Sequence, residues 1–564
     1  MHLFYAYSRF VSLVLFGIAI VLLFLYTMSP KFKAQWESIK TKHQKPLHVF
    51  AWIGIVCFLV FPYWLAQYQL DYRDSFFHLN LMRTFPVGCD MRWFGTNQIG
   101  HFVYQLTSGN VLYMQWTAVL LLQLSIFLPV ASIKSVEKSP IGLHDMFIMA
   151  LFSALFLNYS WLIFSFDTLN LFGLSVVLAM LIRYIYKPSI VRLCLLALMT
   201  GYLITLKFPS VVIVGLIPFV LLAQGIKTKK IGLSILYAAS YVVVSLVTFY
   251  LLALLQFGST GEIMQKMSET MAGDEAHPGA MTLLIGYIIK SLDLLVYVSM
   301  LLVAYIAIEY GAVKSKWVQF IVPACVFVFC YCMFYTHIEY DYDNARLVFN
   351  ALTFCLCIYY AVRGQYVLSL AVLACFVMPI VGSNTGIVKL GGAICLLPLA
   401  YLFMREHKNR KYIYICLVCL IAYAPIRYYC YTFFDDGVKS LTERYTESPK
   451  IAGIYSSPKR IAKVTEVQNR IHEIQSSGKD LLCTGIHRHL FTYINDMNDA
   501  FHVADLYLDD PKYIAKVVEW ANEQPDPYIM VFRYGSLEEL TPLEIELQEE
   551  KVPFETVILD RRGQ

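Results

Sequence analysis

The chain has 564 residues, of which 58% are hydrophobic and only 15% are charged, and its mean hydropathy is +0.57. Soluble globular proteins are about a quarter charged, so this composition excludes a soluble enzyme and equally a disordered chain. The net charge of +5 comes from 45 basic and 40 acidic residues, too small an excess for a nucleic-acid-binding surface. We therefore predict a membrane protein that contacts the lipid bilayer and binds no nucleic acid.

Apolar runs follow one another along residues 1–430, which we predict to form an all-α polytopic membrane bundle. A span takes about 20 residues, and several runs are near the minimum of about 17. About fourteen transmembrane helices are expected, and twelve or thirteen with one re-entrant element is the alternative. The runs lie at 8–28, 49–68, 112–133, 144–164, 168–186, 190–206, 209–224, 231–255, 290–308, 318–336, 347–362, 365–381, 388–404 and 411–430.

Lysine and arginine gather in alternate loops, and this predicts the orientation. The basic groups lie in segments 31–45, 183–192, 227–230 and 405–411. Cytoplasmic loops carry the excess of basic residues, so these segments are predicted inside and the N-terminus outside. An even number of spans also places the tail outside, whereas an odd number moves it to the cytoplasm.

The tail, residues 431–564, changes composition abruptly. Charged residues become frequent, and short apolar runs alternate with segments of helical periodicity. We predict a small extracytoplasmic α/β domain. Its predicted strands are 481–486, 528–534 and 554–559, and its predicted helices are 511–522 and 536–550, with a further helix after Pro458.

The first outer loop, residues 69–111, is the richest polar segment. Asp71, Asp74 and His78 are spaced three and four residues apart, so on a helix they lie on one face. The structural alternative is that acids in a first turn only complement the helix dipole. The loop continues with polar and aromatic groups suited to a hydroxylated ligand, although exposed loops are often polar: Asp90, Arg92, Trp93, Asn97, Gln98 and His101.

A second outer segment, residues 336–346, also concentrates charge. It contains His337, Asp343 and Arg346 directly before a span. Ionisable groups near hydrocarbon are costly and tend to face a cavity or a partner. The alternative is a solvated loop in which Arg346 pairs with Asp343.

Three single residues complete the outer rim. Asp167 lies between two spans, Lys207 stands at the outer end of one, and Asn384 lies in the polar turn 382–386. Each is placed to contact a ligand. The alternatives are a lysine that reaches from the bilayer to water and an ordinary turn.

Acids beside basic residues at the outer interface suit one class of reaction. A carboxylate accepts the proton of an acceptor hydroxyl, while Lys, Arg or His stabilises the charge on a departing lipid-linked phosphate. The sequence therefore predicts group transfer from a lipid-linked phosphate to a hydroxyl acceptor outside the cytoplasm.

These features resemble the GT-C superfamily of membrane glycosyltransferases, particularly bacterial members that use polyprenyl-phosphate sugars. The resemblance depends on the many spans, the soluble tail, the loop Asp71-Tyr-Arg-Asp74-Ser-Phe-Phe-His78-Leu and the lysine in Leu206-Lys207-Phe-Pro209. It implies a multi-pass enzyme of the bacterial inner membrane that moves a sugar from polyprenyl phosphate to a glycan, lipid or protein acceptor of the cell envelope. The tail is then periplasmic or extracellular.

The resemblance also implies roles for individual residues. The catalytic base is Asp71 or Asp74, assisted by His78. The choice between the two acids stays open, because many members have adjacent acids where this loop has Tyr72 and Arg73 between them. A divalent Mg²⁺ or Mn²⁺ at these two carboxylates is also left open. The donor phosphate contacts are Lys207, Arg346 and Arg73, and the acceptor or sugar contacts are Asp167, His337, Asp343 and Asn384.

Other functions are compatible with many spans. A transporter or flippase of a lipid-linked or amphipathic solute is the first, but transporters carry ionisable or helix-breaking groups near the midplane and show internal repeats. Here the charges cluster at the outer rim. A polysaccharide polymerase or ligase is the second, and a membrane scaffold is the third.

Overall fold

The computed structural model describes residues 28–399 and 440–559, with a few residues between 14 and 25. The residues left out of these two ranges are 69, 71–73, 159–163, 273–279, 307–314, 319, 322–323, 326–327, 329–341, 382, 384–385, 387–388, 390–393, 397, 499, 502–507 and 537.

The part before residue 400 is helical. Side-chain N-caps define where several helices begin. Ser29, Asn110 and Ser189 each accept a hydrogen bond from the backbone N–H of the residue three positions later. The helices are α1 (Pro30–Lys42), α2 (Gln44–Ala66), α3 (Asp74–Thr84), α4 (Phe94–Leu106), α5 (Val111–Val136), α6 (Leu143–Asn158), α7 (Phe166–Tyr186), α8 (Ile190–Leu206), α9 (Val212–Thr228, after a 3-10 turn at Phe208–Val211), α10 (Ile231–Phe257), α11 (Thr260–Ala272), α12 (Ala280–Ile306), α13 (Tyr342–Val362) and α14 (Tyr366–Val377).

Five helices of the described chain are long and apolar enough to cross a membrane: Gln44–Ala66, Val111–Val136, Phe166–Tyr186, Phe208–Thr228 and Ile231–Phe257. A mostly helical protein with membrane-length helices is therefore confirmed. Four more apolar helices are shorter, at Leu143–Ala154, Ile190–Leu206, Phe349–Val362 and Tyr366–Val377. The predicted runs at 8–28, 144–164, 290–308, 318–336, 388–404 and 411–430 lie wholly or partly outside the described residues.

Helix α7 lies at the centre of the bundle. It packs between α5 and α8, and α8 in turn packs on α10. In its most apolar 18-residue stretch, 72% of the residues are buried, against 22% for α2. Most of α7 is therefore enclosed by protein, whereas α2 exposes an apolar surface of the kind that lipid covers.

The tail contains a small sheet of three strands at the three apolar segments that the sequence predicted, and the structure shows that these strands are parallel. Its strands are β3 (Asp480–Gly485), β4 (Pro527–Arg533) and β5 (Phe554–Ile558), in the order β3-β4-β5. Each predicted strand lies within about two residues of an observed one, whereas the helix predicted from residue 536 begins at Pro542. A two-residue antiparallel pair precedes the sheet, β1 (Glu443–Arg444) with β2 (Tyr455–Ser456). The tail helices are α15 (Pro458–Ser476), α16 (Arg488–Ile494), α17 (Pro511–Glu523) and α18 (Pro542–Glu549).

The tail packs directly on the first outer loop. The backbone N–H of Val111 donates to the carbonyl of Lys450 at 2.7 Å, and the hydroxyl of Tyr493 donates to the carbonyl of Gly109 at 2.7 Å. Helix α16 contacts α3. Loop and tail therefore lie at the same end of the bundle.

Candidate functional site

Two residues predicted from the sequence, Asp167 and Lys207, meet in an ion cluster with Lys389. The Nζ of Lys207 lies 3.1 Å from Oδ1 of Asp167, and the Nζ of Lys389 lies 2.5 Å from Oδ2. Two ammonium groups face one carboxylate, so the cluster has a net charge of +1. We call these three residues the triad. Their excess positive charge suits an anionic ligand.

The fold fixes the triad at one end of the central helices. Asp167 lies in the first turn of α7, where a carboxylate complements the helix dipole. Lys207 terminates α8 in an extended conformation, just before the 3-10 turn. The next residue, Phe208, donates its backbone N–H to the carbonyl of Arg92 at 2.7 Å, which ties this corner to the first outer loop.

Lys207 does not reach out to water. Its side chain is only 7% exposed, compared with 31% for Asp167 and 27% for Lys389. The snorkelling alternative is therefore wrong for this residue. A buried ammonium that shares a half-exposed carboxylate with a second lysine is placed to bind an incoming anion.

The aromatic ring of Phe166 lies between the triad and two side chains of the first outer loop. Phe166 stacks on Trp93 with ring centroids 5.2 Å apart, and its ring meets His78 edge-on at 4.7 Å. The Nζ of Lys207 lies 5.1 Å from the centroid of the same Phe166 ring. His78 and Lys207 therefore contact the same aromatic side chain.

His78 is a neutral imidazole at physiological pH. Burial lowers the pKa of His78 to about 3, and the charges of His489, Lys389 and Arg92 act in the same direction against the opposing effect of Asp167. The ring is 8% exposed. It therefore supplies hydrogen-bonding atoms to the site and no positive charge.

The tail also contributes to this region. The imidazole of His489, in the first turn of α16, packs on Phe77 with centroids 5.2 Å apart. Its neighbour Arg488 is 1% exposed, and an Nη2 of Arg488 lies 3.4 Å from Nε2 of His489. Helix α16 of the tail therefore covers one side of a site that was predicted from residues of the membrane domain alone.

Four buried polar atoms beside the aromatic rings have no hydrogen-bond partner among the described residues. They are Nδ1 of His78, Nε1 of Trp93, and Nδ2 and Oδ1 of Asn97. The side chain of Asn97 is 1% exposed. An unsatisfied buried polar group costs about 1–3 kcal/mol, so such a concentration needs an explanation.

The remaining predicted residues divide into two groups. Asp71, Arg73, His337 and Asn384 lie outside the described residues. Asp74, Asp343 and Arg346 lie on described helices, Asp74 at the start of α3 and the other two in the first turns of α13, without described side chains. Their proposed roles therefore stay predictions.

Sequence reasoning missed Lys389 and His489. Lys389 begins an apolar run directly after the polar turn 382–386, a position like that of Lys207 at the rim of a span, and this was a usable signal. For His489 no such signal exists, because only the docking of the tail brings it near the loop.

Within the described part of the chain, no group of three or more His, Cys, Asp and Glu side chains is arranged to hold a metal ion. The carboxylates of Asp71 and Asp74, the pair left open for a divalent cation, are not among the described side chains.

No protein-family model matches the chain, and no curated protein matches it either. The geometry of the triad and its surroundings is therefore the main support for a function.

Proposed function

We propose that the protein is an integral membrane glycosyltransferase of the GT-C type, which transfers a sugar from polyprenyl phosphate to a hydroxyl acceptor. The observation that carries the proposal is the triad, a partly buried cluster of net positive charge at the end of the bundle where the acidic loop and the tail meet. Such a cluster suits the phosphate of a lipid-linked donor better than it suits an uncharged solute.

The two lysines bind the donor phosphate. The donor is a phosphodiester with one negative charge, and the departing polyprenyl phosphate gains a second one as the bond to the sugar breaks. Lys207 and Lys389 stabilise that developing charge. Both oxygens of Asp167 already accept from ammonium groups, so this carboxylate holds the lysines in place and does not serve as the base.

The base comes from the first outer loop. Asp74 begins α3 one turn before His78, and the ring of His78 contacts Phe166 beside the triad. We assign removal of the proton of the acceptor hydroxyl to the acid at Asp74 or at Asp71. Arg73 and Arg346 are further candidates for the phosphate.

The reaction takes place on the outer face of a bacterial plasma membrane. The positive-inside bias supports the outer assignment of the loop. The hydrogen bonds from Val111 and Tyr493 join loop and tail, and this supports an even number of spans with the tail on the same side as the loop. Both segments then face the periplasm or the exterior.

The test is donor turnover by the full-length protein in proteoliposomes. A panel of polyprenyl-phosphate hexoses and pentoses is supplied with a mixture of glycan, lipid and peptide acceptors, and released polyprenyl phosphate is measured by mass spectrometry. Wild type is expected to release it with at least one donor. Lys207→Gln should slow release by about 100-fold or more, and Asp71→Ala or Asp74→Ala should nearly abolish it.

The matched control is Lys227→Gln, an exposed lysine in the last turn of α9 at the opposite end of the bundle. Its rate should equal that of wild type. Wild type without turnover of any donor, or full activity in both aspartate variants, contradicts the proposed chemistry. Movement of the intact donor across the bilayer without release of polyprenyl phosphate favours the flippase instead.

A further inference from the structure

The unpartnered polar atoms of His78, Trp93 and Asn97 belong to one place, which we call the polar cluster. The rings of His78 and Trp93 lie 5.7 Å apart. Asn97 follows Trp93 by one helical turn, since its backbone N–H donates to the Trp93 carbonyl at 3.0 Å. The cluster therefore lies between α3 and α4.

The packing of α3 on α4 places Asn97 inside this interface. At one end Trp93 meets His78, and one turn beyond Asn97 the ring of His101 hydrogen-bonds the carbonyl of Met82 at 2.9 Å. The two helices thus run in the same direction where they touch. Asn97, midway between Trp93 and His101 on the same side of α4, lies opposite the turn that joins His78 to Met82.

The polar cluster adjoins the triad through one ring. Phe166 contacts His78 at 4.7 Å and Trp93 at 5.2 Å, and the Nζ of Lys207 lies 5.1 Å from its centroid. A ligand whose anionic group binds the lysines therefore has its adjoining part within reach of the polar cluster.

The chemistry of the cluster suits an uncharged hydroxylated group. Trp93 Nε1 only donates, the amide of Asn97 both donates and accepts, and a neutral imidazole does either. A sugar hydroxyl donates and accepts in the same way, and a sugar is bonded directly to the donor phosphate. Phe166 stacks on the ring of Trp93, and the guanidinium carbon of Arg92 lies 4.6 Å from the Trp93 centroid, so Trp93 offers the ligand the hydrogen-bond donor Nε1 at the edge of its indole.

We propose that His78, Trp93 and Asn97 form the subsite that binds the sugar ring of the donor, while Lys207 and Lys389 bind its phosphate. This inference rests on the proposed function, and it assigns recognition of the sugar to neutral hydrogen-bonding groups of the first outer loop. It predicts that phosphate affinity and sugar discrimination are separable by mutation.

The experiment compares two lipids in equilibrium binding to the full-length protein in detergent. One is a polyprenyl-phosphate hexose, and the other is the methyl ester of the same polyprenyl phosphate, which keeps the single negative charge but has no sugar. Wild type should bind the sugar lipid at least about tenfold more tightly, because a buried hydrogen-bonding site discriminates against a ligand that lacks its partner. Asn97→Leu should remove this preference and leave affinity for the methyl ester within about twofold.

Two further variants distinguish binding of the sugar from binding of the phosphate. Lys207→Gln should weaken binding of both lipids by a similar factor and keep the preference. Asn522→Leu makes the same asparagine-to-leucine change at an exposed position of α17 in the tail and should alter neither affinity.

The outcomes separate this inference from the proposed function. Equal binding of the two lipids by wild type, or an Asn97→Leu variant that keeps the preference, overturns the sugar subsite while the phosphate site stands. Wild type that binds neither lipid overturns the proposed function itself. If Asn97→Leu does not fold, Trp93→Phe removes one donor and keeps the ring, and an unchanged preference there overturns the inference while a lost preference supports it.

Discussion

The side-chain amide of Asn80 donates a 2.8 Å hydrogen bond to the backbone carbonyl of His489, which lies 409 residues later in the chain. The same nitrogen donates to the hydroxyl of Thr492 at 3.0 Å, and the amide oxygen accepts from Arg83. Asn80 is 1% exposed. One buried side chain on α3 thus connects the first outer loop to α16 of the tail.

Asn80→Ala should loosen the tail from the loop. The substitution removes this donor from the His489 carbonyl, which still accepts from the Thr492 hydroxyl at 3.1 Å, so the expected cost is that of one hydrogen bond, about 0.5–1.5 kcal/mol. Hydrogen exchange of residues 488–494 should become faster, while exchange in β4 stays as in wild type. Asn522→Ala, the same change at an exposed position of α17, serves as the control and should leave both segments unchanged. Equal protection of 488–494 in wild type and Asn80→Ala would show that docking does not depend on this side chain.

The neutral state of His78 makes stability depend on pH. The pKa of its imidazole is about 3 in the folded protein because of burial, against 6.5 for an unperturbed group. Between these values the unfolded chain binds the additional proton, so this contribution to stability is present above pH 6.5 and is lost progressively as the pH falls towards 3. Between pH 6.5 and 5 the loss amounts to about 1–2 kcal/mol.

His78→Gln should remove that part of the pH dependence. Thermal unfolding in detergent at several values between pH 5 and 7 should show wild type losing stability relative to the variant as the pH falls. His472→Gln, at an exposed position of α15, should follow the wild-type curve. Parallel curves for wild type and His78→Gln would contradict a buried neutral imidazole.

A buried ion pair lies at the opposite end of the bundle. The Nζ of Lys134 on α5 lies 3.1 Å from Oδ2 of Asp145 on α6, and the side chains are 9% and 3% exposed. Asp145→Asn leaves the ammonium without its carboxylate and should cost about 3–5 kcal/mol. The double variant Lys134→Met with Asp145→Leu should be much closer to wild type, because no charge is then buried. Unfolding temperatures in detergent distinguish these results, and a single variant as stable as wild type would contradict the burial of the pair.

Two glycines of the tail allow the cost of a positive φ angle to be distinguished from the cost of steric overlap. Gly485 and Gly478 both have positive φ angles, of 87° and 80°, but a Cβ on Gly485 would lie 2.1 Å from the carbonyl oxygen of Phe532, whereas one on Gly478 meets nothing within 4 Å. Gly478→Ala should therefore cost about 1–2 kcal/mol from φ alone. Gly485→Ala should cost clearly more, since β3 and β4 must move apart. Hydrogen exchange of β3 and β4 in the full chain measures both, and equal effects would contradict the close approach.

Local patterns in the sequence located the long apolar helices and the strands of the three-stranded sheet, but not α1, α4, α11, α16 or the β1–β2 pair. Apolar runs of membrane length became α2, α5, α7 and α10, because in lipid a run can satisfy its backbone polar groups only as a helix. The strands of the tail were likewise visible as short apolar runs between turn residues. The sequence also placed Asp167 and Lys207 at the ends of apolar runs, and in the structure they lie in the first turn of α7 and at the C-terminal cap of α8.

The tertiary structure alone decided which of these charges meet. Asp167 pairs with Lys207 forty residues away and with Lys389 at a separation of 222 residues, and no local pattern encodes that choice. The same holds for the docking of α16 on α3. Interactions within one or two turns are enough for a sequence to specify a helix. The partner of a buried charge depends instead on how distant helices pack. A partner is needed only because an unpaired charge is costly in a low-dielectric interior.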